Sequence, residues 1–210
     1  MKNIDGIPVY ETLREIVDPS RSCLVIWDVQ NATAERVFNK DEFIKNLKNF
    51  TGRLRGKMPF IYSKIATDLP KGFASSWSYY WRMKMFNVSN PDDMFKTAFS
   101  SGAMEICRDV KPFEGDIVID KYTASLFVGT YFEHLLRNRG ITTVIFTGIA
   151  TEIGIESSAR DASNKGFYPV IVSDCVSSMG KENHERSLKN MESMFFICEN
   201  SHDIVEAALN

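Results

Sequence analysis

Histidine is scarce in this chain. Three residues, His134, His184 and His202, are scattered over 210 positions, with no spacing that would bring two of them onto one metal ion. The four cysteines, Cys23, Cys107, Cys175 and Cys198, form no C-x-x-C pair, so neither a zinc site nor a disulfide framework is expected. Charge of one sign is lacking too. The 25 Lys and Arg against 27 Asp and Glu leave a net charge of −2, which gives no electrostatic reason to expect nucleic acid or an anionic membrane as partner. No apolar run approaches the length of a membrane span, and residues 1–6 lack the apolar character of a signal peptide. These absences predict a reduced, cytoplasmic protein with buried thiols.

What the chain does have is alternation between short β-branched apolar runs and amphipathic stretches. That is the pattern of βαβ units around a buried parallel sheet. Strands are expected at 22–28, 59–65, 116–121, 142–147 and 168–173, with a short sixth near 195–198. Between the first two, Phe43, Ile44, Leu47, Phe50 and Leu54 recur at helical spacing. Asn39 with Glu42 predicts a capping box there, and Gly56 predicts the helix end. Further helices are expected at 126–139, 151–165, 181–193 and 201–209. The length suits one domain, 1–210. The fold class is a three-layer α/β/α sandwich with a mainly parallel six-stranded sheet. The irregular stretch 66–112 holds Trp77, Tyr79, Tyr80 and Trp81 within twelve residues of helix-compatible sequence. Two readings of it stand side by side: a helix packed on its own domain, and a substrate wall or subunit contact.

Three segments could carry chemistry. Asp28 ends the run Leu24-Val25-Ile26-Trp27, at the carboxyl edge where open α/β sheets bind ligands. A carboxylate there either caps the next turn or does acid–base work. Lys121 ends Asp116-Ile117-Val118-Ile119-Asp120, and is either solvated or the ion-pair partner of Asp28 at the same edge. Alternation points Asp120 away from it. The third segment, Gly148-Ile149-Ala150-Thr151-Glu152-Ile153-Gly154, follows the strand Thr143-Val144-Ile145-Phe146-Thr147 and opens a helix. Thr151 suits the N-cap, which places Gly154 in the first turn, where glycine costs ~1 kcal/mol relative to alanine. Something should compensate.

These three motifs together resemble the isochorismatase-like cysteine hydrolases, over about residues 20 to 200. The resemblance implies that Asp28, Lys121 and position 154 form the catalytic centre, that Ala150 and Gly154 offer backbone N–H groups to an anion, and that Ile149–Ala150 is a cis peptide. An ordinary trans turn is the alternative. Two departures stand out. The family's nucleophilic Cys is Gly154 here, which leaves room for a bulkier substrate, and the Gln that known isochorismatases carry after the second strand is absent. The minority of the family with Gly at this position implies an enol-ether hydrolase needing no metal and no cofactor. In it Asp28 is the general acid and Lys121 holds the carboxylate of a small-molecule substrate. Gln30 and Trp81 are the further substrate-contact candidates. Burial beside Trp27 and Val29 raises the pKa of Asp28, whereas Lys121 lowers it. Cys175, at the end of the neighbouring strand, reads either as a displaced nucleophile or as a buried structural thiol. Two rival functions remain: amide or ureido hydrolysis by water activated at Asp28, and a non-catalytic binding protein. The family's habit of assembly implies a homo-oligomer, dimer or tetramer.

Overall fold

The computed structural model describes residues 1–66, 72–90 and 102–210. The expected irregular stretch 66–112 therefore lies partly outside the described residues, at 67–71 and 91–101. An antiparallel hairpin of β1 (Lys2–Ile4) and β2 (Ile7–Val9) opens the chain. Six strands then build one sheet: β3 (Ser22–Trp27), β4 (Phe60–Ile65), β5 (Ile117–Lys121), β6 (Thr143–Ile149), β7 (Tyr168–Ser177) and β8 (Ile197–Glu199). Their order is β5-β4-β3-β6-β7-β8, and every neighbouring pair is parallel. The chain starts in the middle, at β3, works outward to β5, then returns to build the other half from β6. That reversal makes β3 and β6 the topological switch point, and a crevice opens at their carboxyl ends.

Two apolar layers sandwich the sheet. Leu24, Ile26, Tyr62, Ile145, Val170 and Val172 face the helices Lys40–Leu54 and Ser201–Leu209. Cys23, Val25, Trp27, Ile61, Phe146 and Ile171 face the other layer, with Phe132, Leu136, Ala159 and Met191. Each strand contributes alternate residues to each face, because successive side chains of a strand point opposite ways. The expected six-strand α/β sandwich is the one observed.

Local differences have identifiable causes. No side-chain cap forms at Asn39, where a capping box was expected. Its Oδ1 instead accepts the Ser177 hydroxyl from β7, tying the helix start to the sheet. The helix expected over 126–139 is regular only at Phe132–Arg139. Before it, the Thr123 hydroxyl bonds the carbonyls of Ser125 and Val128, a local pattern that competes with helix. Thr151 is not the N-cap. Ala150 takes that position, and Thr151 to Ile155 form a wide first turn of π type. The Thr151 hydroxyl is held by the Ser177 carbonyl and by Nδ1 of His184, at 3.1 and 2.8 Å.

Candidate active site

Asp28 leaves β3 with a left-handed backbone (φ 50°), a conformation that aspartate tolerates better than most residues. Its carbonyl is held there by the Thr33 hydroxyl (2.6 Å) and the Gln30 N–H (2.9 Å). This twist at the strand end turns the carboxylate across to β4 and β5. The Ser63 hydroxyl donates to Oδ1 at 2.7 Å, and Lys121 Nζ lies 2.6 Å from Oδ2. Both ionic side chains are buried, Asp28 at 1% and Lys121 at 3% exposure. Lys121 also donates to the Thr123 carbonyl, at 3.2 Å. The expected convergence of two strand ends is therefore present as direct contact. Asp120 does point away, pairing with Lys64 at the surface.

Burial acts on both partners. Desolvation pushes the Asp28 carboxyl above its ordinary range, against the Lys121 charge and the Ser63 hydrogen bond, which pull it down. Desolvation likewise pushes Lys121 below its ordinary value, against the Asp28 charge. Both shifts favour the uncharged forms. A proton can therefore reside on the carboxyl at a pH where a solvated aspartate would have lost it.

Gly154 does not leave empty space. A Cβ at this position would overlap Cζ2, Cη2 and Cε2 of Trp27. The indole, 4% exposed, occupies the place where a side chain at 154 would go, and the Lys121 ammonium sits 3.6 Å from its ring centroid. The expected room for a bulkier substrate is thus corrected: the indole fills it. This contact is also the compensation that a first-turn glycine calls for. Gly148, on the neighbouring strand, meets the backbone of the same residue. Its φ is 118°, and a Cβ there would collide with the Trp27 backbone, so β6 can approach β3 this closely only with glycine.

The remaining expected residues are placed unevenly. Ile149–Ala150 is a cis peptide, and Ala150 is buried. The Gly154 N–H donates to the Ala150 carbonyl at 3.1 Å, so it is committed to the helix start rather than free for an anion. Gln30, fully buried, spends its amide on structure: Oε1 accepts from the Ile65 N–H at 3.0 Å and Nε2 donates to the Met104 carbonyl at 2.6 Å. It fastens the segment after residue 101 to the sheet edge. Trp81 lies on the helix Ser76–Phe86, with 39% of its surface exposed. Among the described residues no ring contact or hydrogen bond joins Trp81 to the Asp28–Lys121 pair. Cys175 is fully buried in the layer opposite Trp27, and burial pushes its thiol far up, which suits a structural thiol rather than a nucleophile. No cluster of metal-ligating side chains occurs among the described residues. No helix among them is long and apolar enough to cross a membrane. Sequence reasoning missed Ser63. The signal was its register: it pairs with Trp27 across β3 and β4, one residue from Asp28.

The structure thus sets a buried Asp28–Lys121 pair at the carboxyl edge of a parallel α/β sheet, and comparison with known proteins assigns the family. The isochorismatase domain model matches residues 22–203. The chain belongs to the isochorismatase family of hydrolases. It is 35% identical over 194 residues to the ureidoacrylate amidohydrolase RutB of Pseudomonas savastanoi pv. phaseolicola, covering 84% of this chain and 79% of that protein. It is 39% identical to RutB of Methylobacterium radiotolerans over 85 residues, 40% of this chain and 33% of the relative's length. The cysteine hydrolase structure from Pseudomonas syringae pv. phaseolicola shares the fold with a TM-score of 0.77 at 17% identity, over 91% of this chain and 94% of that one.

Proposed function

We propose that this chain hydrolyses a small carboxylic acid without a covalent intermediate, and that its substrate is an enol-ether acid of the isochorismate type. The observation that carries the reading is the Asp28–Lys121 pair itself: a buried carboxyl raised above its ordinary range, touching an ammonium, beside a position that holds glycine. In this reaction the substrate carboxylate binds Lys121 and draws its charge away from Asp28. That raises the carboxyl further and readies it as an acid. Asp28 then gives its proton to the methylene carbon of the enol ether. The carbon bearing the ether oxygen becomes an oxocarbenium centre, and water adds to it. Collapse of the hemiketal breaks the carbon–oxygen bond, yields pyruvate and the ring alcohol, and returns a proton to Asp28. Atoms balance with one water consumed and no thiol.

A second reading has its own support. The relatives named ureidoacrylate amidohydrolase favour a ureido or amide substrate, with Asp28 as the base that activates water. The two readings differ in substrate and in the working protonation state of Asp28. Purified protein incubated with isochorismate is expected to release pyruvate, followed by a lactate dehydrogenase coupled assay. No pyruvate above background, together with ammonia release from ureidoacrylate, would select the second reading.

A further inference from the structure

The Trp27 indole meets both Lys121 and Gly154, yet strand geometry alone would have made it ordinary core. Its face lies under the Lys121 ammonium and its benzo edge lies against Gly154. Its Nε1–H, next along that same edge from Cε2, is buried and has no hydrogen-bond acceptor among the described residues. Tryptophan N–H groups find a partner when buried, because an unsatisfied donor forfeits its hydration. The same indole carries the Lys121 ammonium over its face, a charge that a substrate anion would also seek.

We propose that Trp27 is a substrate-binding residue whose indole fills the nucleophile slot beside Gly154 and whose Nε1–H donates to a carboxylate oxygen of the ligand. The ligand class is a small planar carboxylate, held by Lys121 through charge and by Trp27 through a directed hydrogen bond. A single side chain then does two things. It leaves no room for a nucleophilic side chain at position 154, and it adds a directed hydrogen bond to the charge preference that Lys121 supplies. The inference rests on the carboxylate-substrate reading above, but binding can be measured without turnover.

The chain has three tryptophans, Trp27, Trp77 and Trp81, so three indole N–H signals are expected in a ¹⁵N spectrum. Trp77→Phe and Trp81→Phe assign the Trp27 signal by elimination, even if Trp27→Phe fails to fold. Titration with 2,3-dihydroxybenzoate, an aromatic carboxylate, is expected to move the Trp27 indole N–H downfield, while its carboxamide leaves that signal in place. In calorimetry Trp27→Phe, which keeps a ring but deletes the donor, should bind the carboxylate tenfold or more weakly and the carboxamide unchanged. An indole signal unmoved by the carboxylate, or equal affinities in wild type and Trp27→Phe, overturns the proposal. A shifted indole signal in a protein that releases no pyruvate from isochorismate would leave the binding role standing and reject the enol-ether substrate.

Discussion

Asp28→Asn is expected to lower kcat/KM by about 10²–10⁴, the usual contribution of a positioned general acid. The amide is nearly isosteric and its oxygen can still accept the Ser63 hydroxyl, so the loop geometry set by the φ of 50° should persist. What disappears is the proton and the countercharge of Lys121. Breaking a buried ion pair by removing one partner costs up to about 3–5 kcal/mol. Here the cost is capped, because burial already lowers the Lys121 pKa and the amine can shed its proton. A variant with much reduced activity and only moderately reduced stability is the expected result, read by steady-state kinetics and urea unfolding. Asp120→Asn, one residue before Lys121, is the control. That carboxylate is exposed and pairs with Lys64 at 3.3 Å, a surface bridge worth about 0–1 kcal/mol, and activity should be unchanged.

The second large effect is on stability. Gly154→Ala would gain about 1 kcal/mol from helix propensity if only local preference mattered. In this fold the sign reverses. The added methyl overlaps the six-membered ring of Trp27, and that ring has little freedom to withdraw, with the Lys121 ammonium over its face and Val25, Phe146 and Ile155 in the same apolar layer. Overpacking of this kind costs typically about 1–3 kcal/mol. A net destabilisation by urea unfolding is expected, and Trp27→Leu should relieve it in the double variant, giving a clear coupling energy between the two sites. Independent effects of the two substitutions would mean that the indole does not occupy the slot in solution.

Much of this was legible from the sequence because the informative residues sit where periodicity is strongest. The long sheet strands show as β-branched or aromatic runs, and Asp28 and Lys121 each stand where such a run ends at the carboxyl edge, Lys121 directly after Asp120. Alternation correctly separated Lys121 from Asp120. Side-chain occupancy was not legible. Trp27 reads as one more apolar strand residue, and nothing in its neighbours states that its ring reaches the turn after β6 and meets Gly154. Gln30 and Asn39 misled for a common reason: each looks like a local functional or capping group, and each is recruited instead by a segment more than thirty residues away, Gln30 by Ile65 and Met104, Asn39 by Ser177. Hydrogen bonds of that range leave no trace in a local window.

The pH dependence of kcat/KM on the turned-over substrate tests the central claim, that a protonated Asp28 drives water-dependent hydrolysis. An acid whose folded pKa is raised must be protonated to act. Activity should therefore be full at low pH and fall as pH rises through a value above the ordinary carboxylate range, and the residual activity of Asp28→Asn should show no such limb. A limb that rises with pH instead, or a profile unaltered by Asp28→Asn, would contradict the account.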